Sequence, residues 1–202
     1  MTGMVDVLAA AVEVHRLFER HGWKFCFIGG IAVQRWGNPR FTVDVDLTLL
    51  TGYGSEERFV DAILEHLAAR RPDGRQFALL HRVLLARTRR GVDVDVALGA
   101  LPFEERSVQR ASAWSLGDGT ELLTCSAEDL IVHKVFAGRD RDWDDVRGVL
   151  ARRHGTLDWT IIRAELPVLL ELKEAPEGMQ RLEQLAAEVT RWLAGAGTDH
   201  EG

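Results

Sequence analysis

Two aspartates, Asp44 and Asp46, stand two apart in the stretch Phe41-Thr-Val-Asp-Val-Asp-Leu-Thr-Leu-Leu50. Phe41, Val43, Val45, Leu47 and Leu49 alternate with Thr42, Asp44, Asp46 and Thr48, the period of a strand. Side chains two apart on a strand share a face, so both carboxylates point the same way, with Cα atoms about 6–7 Å apart. Like charges side by side repel, and an ordinary strand gains nothing from them. A divalent cation reverses the sign of that cost. Mg²⁺ takes carboxylate and phosphate oxygens in octahedral geometry. Two such ions about 4 Å apart clamp the attacking and leaving oxygens of a phosphoryl displacement. Upstream, the apolar run Phe25 to Ile28 reads as a strand that ends at Gly29-Gly30. Glycine lets backbone approach a ligand closely, and N–H groups at a helix start attract phosphate. A phosphate cradle followed by a two-carboxylate strand describes a site for a triphosphate and metal. The competing reading of the acids is an edge strand that carries negative charge against aggregation.

The pairing of Gly29-Gly30 with Asp44-x-Asp46, about a dozen residues apart, resembles the signature of the DNA polymerase β-type nucleotidyltransferase superfamily. The context Arg40-x-Thr42-x-Asp44-x-Asp46 is similar to the AbiEii-type group, toxins of bacterial toxin–antitoxin pairs. The polymerase β-type resemblance covers about residues 23–98, and the AbiEii-like one extends to about residue 150. It implies an α+β fold, a small mixed sheet flanked by helices, with a helical C-terminal subdomain. It also implies a third carboxylate on a later strand. Val92 to Leu98 alternates again, with Asp93 and Asp95 on the face opposite Val92, Val94, Val96 and Leu98. The strand leads into Leu101-Pro-Phe103-Glu104, and by resemblance Asp95 is the third carboxylate, with Asp93 in reserve.

The positioning elements follow from periodicity. Residues 4–20 read as a helix with Val5, Leu8, Val12, Leu17 and Phe18 on one stripe. Ser55 is expected to cap a helix running to about Ala69, with Phe59, Ile63, Leu64 and Leu67 buried. Phe77 to Arg87 is expected to be a strand, joined by a turn at Arg89-Arg90-Gly91 to the next. A short helix over 103–112 and a hairpin through Gly117-Asp-Gly119 come next. Helices are expected from Ser126 to about Arg153 with a break near Gly138, over Trp159 to Leu172, and over Met179 to Leu193, with a frayed end from Ala194. The expected domains are a core over residues 1–124, a helical subdomain over 125–195, and a flexible tail over 196–202.

On one continuous helix, Lys134, Gly138, Arg141, Asp142 and Asp145 would share a face. Val132, Val135, Phe136, Trp143, Val146 and Leu150 would form the core side. On physics alone this is a salt-bridged solvent face. The resemblance changes the reading, because Lys134 followed by Arg139-Asp-Arg141-Asp142 and Asp145 is similar to a further AbiEii-type motif, with Arg141 where the pattern often has Lys. By resemblance, Lys134, Arg141 and Asp142 bind nucleotide.

Composition sets the frame. The chain has 202 residues and no run of 18 apolar ones, so no membrane span is expected. The N-terminus lacks a basic region followed by an apolar core, so no signal peptide is expected. Two cysteines, Cys26 and Cys125, do not make a disulfide framework. The cytoplasm is the expected compartment. A net charge of −6 argues against general polyanion binding. Local clusters remain at Arg70-Arg71, Arg87 with Arg89-Arg90, Arg139 with Arg141, and Arg152-Arg153; each is either a grip for a triphosphate or RNA end, or scattered solvated charge. The histidines have no zinc spacing, and His133 is expected to be structural.

The resulting expectation is transfer of a nucleoside monophosphate from a nucleoside triphosphate, ATP included, to an acceptor hydroxyl. Asp44, Asp46 and Asp95 are expected to hold two Mg²⁺ ions, or Mn²⁺, and to be the catalytic set. Gly29, Gly30, Arg40, Thr42, Lys134, Arg141 and Asp142 are the expected nucleotide-binding residues. The expected acceptor is transfer RNA or another cellular RNA, with an antitoxin protein as partner. The alternatives are a small, antibiotic-type acceptor and a non-catalytic nucleotide- or partner-binding domain.

Overall fold

The computed structural model describes residues 3–117 and 119–198, with side chains through Gly195. The chain divides into two compact units. The first takes the chain up to Ile31 and Arg40–Ser126; the second takes Ala32–Pro39 and everything from Ala127 onward. Among the described residues no helix is long and apolar enough to cross a membrane.

The first unit carries a seven-stranded mixed sheet in the order β3-β4-β5-β2-β1-β7-β6. Its strands are β1 (Phe25–Phe27), β2 (Asp44–Leu50), β3 (Ala68–Ala69), β4 (Val83–Arg87), β5 (Asp93–Gly99), β6 (Ser112–Gly117) and β7 (Thr120–Thr124). Its helices are α1 (Met4–Arg20), the start of α2 (Gly29–Trp36), α3 (Glu56–Leu64), α4 (Gly74–His81) and α5 (Pro102–Arg110). The centre is the parallel pair β2–β5, in register from Asp44 opposite Asp93 to Leu50 opposite Gly99. Burial alternates over residues 44–47 of β2 and 93–98 of β5. Val45, Leu47 and Leu49 on β2 and Val94, Val96 and Leu98 on β5 are sealed from solvent. They join α1, α3 and β4 in one apolar core that also takes Phe18, Phe25, Phe27 and Ile63. The opposite face of these two strands carries the acids.

Several local expectations need correcting. On α1, Leu17 and Phe18 are buried and Leu8 and Val12 pack against the core as expected, but Val5 is exposed, and Val7, Ala10, Ala11 and Val14 complete the buried side. The second strand starts at Asp44, and Phe41 and Val43 are exposed rather than continuing the buried row. Helix α3 ends at Leu64, and Ala68–Ala69 pairs with β4 instead of extending it. Ser55 makes no side-chain capping bond. The stretch from Phe77 is helical to His81, where the Phe77 and His81 rings meet one turn apart, tilted by 40°, with centres at 4.4 Å. Arg82 then takes a left-handed φ of 55° and redirects the chain into β4. A short apolar run fits either period, and tertiary packing decided between them. Cys26 and Cys125 are buried thiols, not a disulfide. The expected Asp-Gly turn joins β6 to β7, but its Asp118 lies outside the described residues.

The second unit is helical: α6 (Ala127–Ala137), α7 (Asp140–Arg152), α8 (Trp159–Leu172) and α9 (Glu177–Thr198). Gly138, at φ 72°, breaks the stretch into α6 and α7 where only glycine sits without strain. The last carbonyls of α6 are not left bare: Lys173 Nζ donates to Phe136 O at 2.5 Å and to Ala137 O at 3.0 Å. Asp158 caps α8 by accepting the Thr160 N–H at 2.9 Å. Phe136, expected in the core, is partly exposed. Helix α9 runs on past Leu193 to Thr198; residues 199–202 lie outside the described residues.

Leu47 lies on the buried side of the acid-bearing strand with no solvent exposure. Leu47→Ala should cost about 2–5 kcal/mol, the range for a buried leucine, read as a lower urea midpoint in equilibrium unfolding. A change within error would show that this face of β2 is not core.

Candidate active site

The first unit brings together Gly29, Gly30, Thr42, Asp44, Asp46 and the two acids of β5. The register sets Asp46 beside Asp95 and Asp44 beside Asp93 on adjacent parallel strands. Strands in a sheet lie about 4.8 Å apart, so four carboxylates form a two-by-two block. Gly29, at φ 53°, opens helix α2 against this block. A Cβ there would lie 2.7 Å from Asp46 Cβ and collide with the carboxylate, and one on Gly30 would lie 2.8 Å from Thr42 Cβ. Both glycines are therefore required by close approach, with the start of α2 packed against the acid-bearing strand. Thr42 is buried and its Oγ1 donates to Asp44 Oδ1 at 3.0 Å, which orients that carboxylate. Arg40 donates to the Phe41 carbonyl at 3.1 Å.

On the outer side of β5 the compensation is cationic. Arg70, just after β3, reaches both acids: Nη1 donates to Asp93 Oδ2 at 2.7 Å, and Nη2 donates to Asp95 Oδ1. Arg87 Nε donates to the other Asp93 oxygen at 2.6 Å. Burial pushes the Asp93 carboxyl up, but the Arg87 and Arg70 hydrogen bonds outweigh it and hold it below the usual range. Asp95 is held above the usual range by burial, with the charges of Asp44 and Asp93 adding to it against the pull of Arg70. In the sequence, Arg70 and Arg87 stand out only as members of basic clusters. No local signal marks Arg70 as part of the site, because the strand that delivers it is two residues long.

The donor set suits a hard divalent cation: carboxylate oxygens on neighbouring strands beside a backbone amide end. Among the described residues, however, no three His, Cys, Asp or Glu side chains converge on one point able to hold a metal ion. Asp95 is turned onto Arg70 instead.

The second unit holds a different cluster. Lys134 Nζ lies 2.8 Å from Asp142 Oδ1 and 2.8 Å from Asp145 Oδ2, and all three side chains are buried. Arg139 adds its Nε to Asp142 Oδ2 at 2.6 Å. Burial raises the Asp142 carboxyl, but the bonds from Arg139 and Lys134 hold it below the usual range. The group is thus not a solvated charged face. Of the five residues expected on that face, Arg141 is exposed and outside these ion pairs. His133, next to Lys134, is held down to about 4 by burial, which outweighs the pull of Asp129.

A profile of the family described as "Nucleotidyl transferase AbiEii toxin, Type IV TA system" matches residues 16–188. The chain belongs to the AbiEii nucleotidyl transferase toxin family. It is a nucleotidyltransferase. The AbiEii match spans both units, so the acid block and the Lys134 cluster fall inside it. No curated protein matches the sequence. Among solved structures, an antigenic nucleotidyltransferase-like protein from Paracoccidioides brasiliensis is similar at 13% identity and TM-score 0.52, over 90% of this chain and 94% of that one. That likeness supports the nucleotidyltransferase fold for this AbiEii chain. Weaker likenesses are JHP933 from Helicobacter pylori (13% identity, TM-score 0.45, 96% and 94% covered) and the antibiotic-resistance factor ANT(2'')-Ia (17%, 0.38, 96% and 96%).

Two outcomes test the second cluster. Removing one partner of a buried ion-pair group leaves uncompensated charge, so Lys134→Ala should destabilise the protein by about 3–5 kcal/mol, measured by urea unfolding. His133 binds its proton less readily folded than unfolded. Stability is therefore complete above about pH 6.5 and falls as the pH drops through about 4, by roughly 3 kcal/mol in total. Urea midpoints taken across that window should show the fall, and His133→Gln should remove its share of the slope.

Proposed function

We propose that this enzyme moves a nucleoside monophosphate from a nucleoside triphosphate, ATP among the candidates, to an acceptor hydroxyl, as the toxin of a toxin–antitoxin pair. The acceptor oxygen attacks the α-phosphorus, a new P–O bond forms, and pyrophosphate leaves. The acceptor in this reading is transfer RNA or another cellular RNA, the compartment is the cytoplasm, and an antitoxin protein keeps the enzyme in check. The observation that carries the reading is the close approach of Gly29 to Asp46, with Asp46 in register with Asp95. The start of α2 and the acid-bearing strand meet there with no room for a side chain on Gly29.

Each residue then has a task. Gly29 and Gly30 offer backbone N–H groups to the polyphosphate. Asp44, Asp46 and Asp95 would hold Mg²⁺, as two ions, or Mn²⁺; the ion supplies positive charge between carboxylate and phosphate oxygens. Thr42 fixes the Asp44 carboxylate. Asp95, with its raised proton affinity, is suited to accept the hydroxyl proton. Arg40 neutralises phosphate charge. In the second unit, Lys134, Arg141 and Asp142 are proposed as nucleotide-binding residues, with Lys134 set in place by Asp142 and Asp145.

The test supplies each labelled nucleoside triphosphate, Mg²⁺ and total RNA to the purified protein. Label should enter RNA, and Asp46→Asn should lower the rate by more than about a hundredfold, beyond the loss typical of outer-shell groups at metal sites. Expression alone should slow bacterial growth, and the Asp46→Asn form should not. Label on a small cationic acceptor in place of RNA would move the function to an antibiotic-type enzyme. No transfer to RNA, protein or small acceptor would overturn the catalytic reading.

A further inference from the structure

We infer that Arg70 is a positioning residue of the carboxylate site, a built-in cation that competes with a divalent metal ion for Asp95. The inference rests on the metal-dependent reading of the site given above. It is argued from how Arg70 is held. Its backbone N–H donates to Leu85 O at 2.9 Å, beyond the two-residue pairing of β3 with β4. Leu85 is itself opposite Asp95 on β5. The main chain therefore delivers the guanidinium across β4 onto the acid-bearing face. There it forks, one nitrogen on Asp93 Oδ2 at 2.7 Å and the other on Asp95 Oδ1. Asp93 is gripped from the other side by Arg87, at 2.6 Å.

This divides the two candidates for the third carboxylate by role. Asp93 has both oxygens taken by arginines, so it is the anchor that keeps Arg70 over Asp95. Asp95 has one oxygen on the fork and a side chain one-third exposed, so it is the acid that can change partner. A guanidinium and a divalent ion cannot share one carboxylate oxygen without strong like-charge repulsion. The Arg70 side chain is about one-fifth exposed, which leaves it a way out. Asp44 and Asp46 would then hold an ion without Asp95, and Asp95 would add its carboxylate only where Arg70 releases it. A plain structural staple between β3 and β5 would have the same contacts but no effect on metal binding, and that difference is measurable.

The experiment titrates Mn²⁺ into the full-length protein, following free Mn²⁺ by electron paramagnetic resonance, with and without a non-hydrolysable triphosphate. Without nucleotide, Arg70→Met should bind Mn²⁺ about tenfold more tightly than the wild type, or take up a further ion, tenfold being the effect of about 1.4 kcal/mol. Arg70→Lys keeps the charge without the fork and should fall between the two. Asp93→Asn keeps Arg70 but weakens its anchor and should shift in the direction of Arg70→Met. Should Arg70→Met fail to fold by circular dichroism, Arg70→Lys and Asp93→Asn carry the comparison. Isotherms equal to wild type, or weaker, across these variants would overturn the role of Arg70 while loss of binding in Asp46→Asn upheld the site. Absence of Mn²⁺ binding in every protein, wild type included, would overturn the metal reading and this inference with it.

Discussion

Repulsion among carboxylates on one face of β2 and β5 is the constraint to which the local structure answers. A parallel pair in register cannot carry acids at alternate positions on both strands without stacking them side by side. The apolar residues between them leave no choice of face. Val45, Leu47, Val94 and Val96 are fully buried, and a one-residue slip would turn them to solvent and the acids into the core. The core therefore enforces the charge density, and the surroundings compensate it differently on the two sides. On β2 the neighbours are the glycine start of α2 and the Thr42 hydroxyl. On β5 they are the guanidiniums of Arg70 and Arg87.

The helical unit meets the same physics with a different answer. Asp142 and Asp145 are buried, and a buried carboxylate is tolerable only when paired and hydrogen-bonded. Lys134 serves both, and Arg139 adds a second donor to Asp142. The break at Gly138 makes this possible, because it ends α6 just beyond Lys134 and starts α7 just before Asp142. A single straight helix would have spaced these groups along one side instead of folding two helices around an ion-pair core.

The elements most legible in advance are those whose period is long or strict. The alternation over β2 and β5 placed their acids on one face, and Trp159 to Leu172 is helical over the expected span. The resemblance in the glycine and aspartate spacing led to the family that the chain belongs to. What failed were short stretches. Phe77 to His81 carries too few residues to tell a helix from a strand. Ala68–Ala69 has no strand signature, since it is a strand only because β4 lies beside it. Phe41 and Val43 kept the alternation but lie before the first residue of the strand and stay exposed.

By itself the sequence determined which residue types occur at which local spacing, and hence the faces of β2 and β5 and the presence of a glycine pair a dozen residues before the acids. Those are properties of period and steric size, which act within a few residues. Only the tertiary structure decided that β2 and β5 are parallel neighbours, that Arg70 crosses β4 to reach Asp93 and Asp95, and that Lys134 is buried between two aspartates. Those contacts join residues up to about fifty positions apart, and no local pattern carries them, because the free energy of pairing and burial is settled by the whole folded chain.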